Sequence, residues 1–95
     1  MQFLTISRRR EMGAGSGDEL RPAEVQRARA LYSEGHIRQL WHRADVPGAC
    51  ILWEAESEHQ LREMLESFPF VQAGIVDVSV FALQPYRGFG PEGAS

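Results

Sequence analysis

The sequence predicts an α+β fold built as strand, helix, strand, strand, helix, strand. Three observations carry this prediction. A Val46-Pro47-Gly48 turn splits a β-forming stretch into a hairpin. Apolar residues recur at helical spacing on either side of that hairpin. Near the end of the chain, an alternating apolar run closes the pattern. The order is that of the split βαβ unit, a four-stranded antiparallel sheet with both helices on one face. With 95 residues, the whole span 1–95 forms a single domain near the lower size limit for a self-sufficient core. The bare face of the sheet then needs cover, which a homodimer or higher homo-oligomer supplies.

Residues 2–7 read as the first strand. Residues 8–17 follow as a mobile loop, extending to about residue 19, with Gly13, Gly15 and Gly17 at its centre. Arg8-Arg9-Arg10 opens that loop, either as a solvated edge or as an anion contact. Pro22 suits the first turn of a helix running to Ser33. On that helix Val25, Ala28, Leu31 and Tyr32 fall on one stripe, and Arg21 and Glu24 project onto the same side. A carboxylate facing a sheet must be paired, solvated through a cleft or functional. The alternative is an acid placed in the first turn to complement the helix dipole.

Gly35 ends the helix, since it takes the left-handed conformation of a C-terminal cap. The hairpin comes next, its second strand running over residues 49–54. A short even-numbered loop sets Trp41 on the face of Cys50, Leu52 and Glu54. His36, Arg38, Leu40, His42, Ile51 and Trp53 then share the other face, a mixture of apolar bulk and polar groups suited to a pocket wall. Ser57 and Gln60 form a capping box. The helix it opens carries Leu61, Met64, Leu65 and Phe68 as an apolar stripe, leaves His59 in solvent, and is closed by Phe68-Pro69-Phe70. Residues 71–83, as one strand or a strand after a short loop, have both faces largely apolar, as a central strand requires. Asp77 interrupts one face and calls for a partner, arginine above all. Residues 85–95 form an irregular tail that Tyr86 and Phe89 can dock on a neighbour.

Composition narrows the function. A formal charge of −3 argues against nucleic acid, which needs a clustered positive field. All 10 basic residues are arginine, so lysine Schiff-base chemistry is excluded. Cys50 is the only cysteine, which leaves no intrachain disulfide and no cysteine-based zinc site; a reducing cytoplasm fits. No segment has the roughly 20 apolar residues of a membrane span, and the opening residues are too short for a signal-peptide core. His36 and His42 stand roughly 20 Å apart at ~3.3 Å per strand residue, and His59 lies on another element, so no metal site is expected. No nucleophile elbow, nucleotide fingerprint or phosphate-binding loop is present.

Glu34-Gly35, Arg38, Leu40-Trp41 and Arg43, with Leu61, Leu65 and Pro69 downstream, resemble the muconolactone isomerases. The similarity runs without an obvious gap from about residue 24 to about residue 85. It implies the ferredoxin-like dimeric α/β barrel and a cofactor-free enzyme of aromatic-compound breakdown. It also strengthens the functional reading of Glu24, since the isomerases carry a glutamate there. Two departures stand out. Ile37 replaces an aromatic residue, and Val46-Pro47-Gly48-Ala49 replaces polar and aromatic residues.

The isomerase reaction moves a proton between carbons of an unsaturated lactone. It needs a base of raised pKa, donors for the developing enolate oxygen, and an arginine fork for the substrate carboxylate. Glu24 can serve as the base, His36 or His42 as the donor or next base, and Arg38 or Arg21 as the fork. Trp41, Trp53 and Asp77 complete the candidate substrate-binding set; each also has a purely structural role to play in core or salt bridge. Two rival functions stand beside the isomerase. One is a cofactor-free oxygenase or cyclase acting on a polyketide or quinol; the other is a non-catalytic dimeric binding or stress protein.

Overall fold

The computed structural model describes residues 1–11 and 17–89. Four antiparallel strands form one sheet: β1 (Gln2–Arg9), β2 (Ile37–His42), β3 (Ala49–Glu54) and β4 (Val76–Leu83), in the spatial order β2-β3-β1-β4. Helix α1 (Arg21–Ser33) connects β1 to β2, and α2 (Glu58–Glu66) with the short α3 (Pro69–Gln72) connects β3 to β4. This is the ferredoxin-like arrangement expected from the pattern.

Local chemistry sets the boundaries. Helix α1 ends in a Schellman cap: Gly35 sits at φ 86°, its N–H donates to Tyr32 O (3.1 Å), and the His36 N–H donates to Leu31 O (3.0 Å). At the start of α2 the Ser57 hydroxyl accepts from the Gln60 N–H (3.1 Å). The Gln60 side chain reaches back to the Glu56 N–H (2.7 Å), one residue before the usual box partner, Ser57. The hairpin loop closes with the Arg43 N–H donating to Gly48 O (3.0 Å), so Trp41 pairs with Cys50 and Leu40 with Ile51. A Cβ on Gly48 would overlap the Ser7 carbonyl oxygen; glycine thus lets the turn lie against β1, where the Arg9 N–H donates to Pro47 O (2.8 Å).

The core lies between the sheet and the helices, at one end. Phe3, Trp53 and Ile37 form a row across β1, β3 and β2, and Leu31, Leu61, Leu65 and Phe68 press on them. Trp53 is fully buried and meets Phe68 edge to face, ring centroids 6.2 Å apart.

Several expectations need correcting. Strand β1 runs two residues beyond Ser7, because Arg8 and Arg9 still pair with Asp77 and Val76. The centre of the expected mobile loop, 12–16, and the end of the tail, 90–95, lie outside the described residues. Val71 is helical rather than extended: Pro69 starts α3 and Gly74, at φ 69°, ends it. β4 is an edge strand, and β1 and β3 are the central pair. On α1 only Leu31 is fully buried, while Tyr32 is 63% exposed. A register shift between Ile37 and Gln39 sets Arg38 out as a bulge. Ile37 therefore pairs with Trp53 and turns inward beside Leu40 and His42, so the predicted polar row of His36, Arg38 and His42 does not form.

Candidate active site

At the other end of the same layer the helices and sheet part. A cleft of about 510 Å³ opens there between α1, α3 and the ends of β1, β2 and β3, within the size range of small-molecule sites. It exists because the side chains at this end of the sheet are small or polar: Ser7 and Ala49 occupy the place that Phe3 and Trp53 fill at the closed end. Phe68, Phe70, Val71, Ile51 and Leu40 make its apolar wall.

Glu24 is the one carboxylate among the described residues lining this cleft. Its position one turn into α1 aims it at α3, and its Oε1 accepts from the Phe70 N–H at 2.9 Å. Burial raises the Glu24 pKa above the ordinary glutamate value, partly offset by that N–H. The carboxylate thus both caps α3 and faces the cleft. Its phase on α1, legible in the sequence, holds.

Four arginines surround it: Arg9, Arg21, Arg29 and Arg43. Arg43 is already engaged, since its fork grips Asp45 (3.0 and 2.7 Å) and its Nη1 donates to Ser7 O (3.3 Å). That grip, with the Val46 N–H, holds the Asp45 carboxyl down at about 2. Arg9 lies over the Phe70 ring, 5.6 Å from its centroid. Arg21 is loosely paired with Asp18 at 3.7 Å. Arg29, two helical turns beyond Arg21, has no partner among the described residues. His42, exposed at the end of β2, also lines the cleft.

The floor is polar at two points. The Ser7 hydroxyl accepts from the Ala49 N–H (3.0 Å), and the Thr5 hydroxyl accepts from the Trp53 indole N–H (2.8 Å).

Of the residues singled out from sequence, the cleft brings together Glu24, Arg21 and His42. The others lie elsewhere. His36 sits at the far end of β2, its Nδ1 3.4 Å from Glu54 O and its Nε2 3.8 Å from Glu34. Arg38 points to solvent from the bulge. Trp41, 47% exposed, is on the sheet face away from the helices. Trp53 is fully buried in the closed-end core, beside the cleft and outside its lining. Asp77 has the arginine it required, Arg10, at 2.6 and 2.9 Å. Thr5, Ser7 and Arg29 were not anticipated; Arg9 was expected only as part of a solvated edge or anion contact, and Arg43 only as part of the family resemblance. Among the described residues no three His, Cys, Asp or Glu side chains gather as a metal set, and no helix is long and apolar enough to cross a membrane.

Comparison with known proteins gives these observations a frame. The family model of muconolactone delta-isomerase matches residues 1–88. The chain belongs to the muconolactone isomerase family. Among solved structures, a muconolactone isomerase superposes with a TM-score of 0.81 at 19% identity, covering 100% of both chains. The 5-chloro-2-hydroxyhydroquinone dehydrochlorinase of Burkholderia phenoliruptrix AC1100, in complex with 2,5-dihydroxybenzoquinone, does so with 0.75 at 20% identity, covering 88% of this chain and 94% of that one. At these identities the likeness is one of fold. No curated protein matches the chain in sequence. Ile37 lies in the core, whereas Pro47, Gly48 and Ala49 line the cleft and shape it.

Proposed function

We propose that this member of the muconolactone isomerase family is a cytoplasmic, cofactor-free enzyme of aromatic-compound breakdown, shifting a double bond in an unsaturated, carboxylated lactone or a related small cyclic acid. The observation that carries the reading is Glu24: a half-buried carboxylate of raised pKa facing a cleft whose other charged groups are arginines. Ionised Glu24 takes a proton from carbon next to the carbonyl system and returns it further along the chain of double bonds. Arg21 and Arg29 hold the substrate carboxylate, where a planar fork suits two oxygens. His42 stands where it can donate to the enolate oxygen or relay a proton.

The test is turnover of muconolactone, followed by the change in its ultraviolet absorbance, by the wild type and by Glu24→Gln. Wild-type turnover that Glu24→Gln abolishes supports the reading; wild-type inactivity on this lactone and on close carboxylated analogues ends it. A second reading draws on the dehydrochlorinase fold relative, whose bound ligand is a hydroxylated quinone. Proton removal by Glu24 would then expel a leaving group from a ring, with the same first step and the same apolar wall.

The assembly belongs to the same proposal. On the sheet face away from the helices, Leu4, Ile6, Trp41, Leu52, Phe81 and Leu83 are left partly or largely open. Trp41 (47%), Phe81 (48%) and Leu83 (37%) are exposed enough to want cover. A second copy placed on this face makes the homodimer. Sedimentation that finds only a folded species near 10.7 kDa at micromolar concentration excludes it.

A further inference from the structure

Thr5 is the one buried polar residue among those described, 2% exposed, in the middle of the central strand β1. A threonine there has two hydrogen-bonding roles to fill, one as acceptor and one as donor. The acceptor role is taken, since the Trp53 indole N–H donates to Thr5 Oγ1 at 2.8 Å. The donor role is not. The Thr5 O–H has no acceptor among the described residues. Its neighbours across the strands, Ile51 and Val80, offer only hydrocarbon side chains. Yet Thr5 lines the floor of the cleft, with Ser7 beyond it and Glu24 on the helix above.

A buried donor without a protein acceptor is costly unless something else supplies one. The Trp53 N–H, arriving at 2.8 Å, occupies a lone pair and so restricts where the hydroxyl proton can turn. It also polarises the O–H, because linked hydrogen bonds strengthen one another. Trp53 is itself fixed by full burial and by Phe68 at its edge.

We propose that Thr5 donates a hydrogen bond to a carbonyl oxygen of the bound substrate, and that Trp53 acts through it as a positioning residue. The proposal rests on the reading of the cleft as a proton-transfer site and adds to it a buried donor at the floor, which leaves His42 at the mouth to relay the proton. Glu24 removes the proton, and charge flows to an oxygen held at the floor by Thr5. The O–H stays with threonine throughout, so the bond stabilises the enolate without a second proton transfer. It selects ligands that present a carbonyl to the sheet while a carboxylate meets the arginines at the mouth.

Thr5→Val keeps the shape and removes the hydroxyl; Thr5→Ser keeps the hydroxyl. Two readouts are needed. In kinetics with muconolactone, Thr5→Val should lose about 10²-fold in kcat/KM, the scale of removing one donor to a developing oxyanion, while Thr5→Ser stays within a few fold. In infrared difference spectra of the lactone held by Glu24→Gln, the bound C=O stretch should rise when Thr5→Val is added and stay low with Thr5→Ser. A merely structural threonine would alter thermal stability without moving that band. If Glu24→Gln binds the lactone and adding Thr5→Val leaves the band where it was, the proposal is overturned while the proton-transfer reading stands. If the wild type turns over neither the lactone nor its close carboxylated analogues, that reading fails. The same band is then followed with 2,5-dihydroxybenzoquinone, where an upward shift on Thr5→Val keeps the Thr5 proposal. A cleft that takes up neither compound overturns both.

Discussion

The two ends of the helix-covered side of the sheet are built from the same strands and do opposite things. At the closed end, the Phe3, Trp53 and Ile37 row is filled with large apolar side chains and sealed by α2. At the open end, Ser7, Ala49 and His42 occupy the equivalent places, and the space above them is left to Glu24 and the arginines. Thr5 and Ile51 mark the boundary row. A binding site in this small domain is therefore a region where the core stops. Its cost is borne at the other end, where Trp53 and Phe3 are completely buried.

The contrast can be broken from either side. The largest effect is expected at the open end. Glu24→Gln should reduce turnover by roughly 10²–10⁴-fold while urea denaturation changes little, because the amide oxygen can still accept from the Phe70 N–H. A variant that unfolds as it loses activity would make Glu24 a cap for α3 and nothing more. At the closed end the signature is reversed: Trp53→Ala should cost about 3–5 kcal/mol of stability, as large-to-small core changes do. A loss below about 0.5 kcal/mol, the scale of an ordinary surface substitution, would deny the closed end its role.

Smaller effects sharpen the picture. Arg29→Ala should weaken binding of a carboxylated ligand about tenfold, at the low end for charged hydrogen bonds because solvent screens an exposed guanidinium. Arg38→Ala, out on the bulge, should leave it nearly unchanged in the same titration. Equal losses would show that distance from the cleft does not decide which arginine matters. The smallest effect is in pH dependence. Glu24 must be ionised to act as a base, so kcat/KM should rise with pH through a limb displaced above the ordinary glutamate value of about 4.3. The stability sign is opposite: a carboxyl of raised pKa favours the protonated fold. Its contribution is present below the unfolded value and is lost as pH rises through the folded one. Glu24→Gln should flatten that fall, measured as Tm against pH.

Much of this was legible in the sequence, where the signal is local. The Schellman glycine Gly35, the Ser57–Gln60 box, the face that Trp41 shares with Cys50 and the phase of Glu24 on α1 each depend on a few neighbouring residues. What escaped depends on partners distant in sequence. The Arg38 bulge arises from how β2 fits Trp53 of the next strand, and it moved His36 and Arg38 off the row that alternation predicts. Asp77 announced its need for an arginine, but nothing local named Arg10. Val71 looked extended because β-branched and aromatic residues surround it, although Pro69 and Gly74 bracket a turn of helix. The polar floor was invisible for the same reason: Thr5 reads as an ordinary strand residue until Trp53 is set beside it.

The two tryptophans fall on opposite sides of the sheet, and this divides the molecule optically. Trp53 is dry and hydrogen-bonded to Thr5 in the core beside the cleft floor, whereas Trp41 is 47% exposed on the opposite face. The first should emit towards the blue and resist a dissolved quencher such as iodide; the second should emit towards the red and be quenched freely. Trp41→Phe leaves an intrinsic fluorophore that responds to events in the cleft. In the wild type, loss of the quenchable fraction with rising protein concentration reports the covering of the outer face. One spectrum thus separates ligand uptake from self-association without any attached dye.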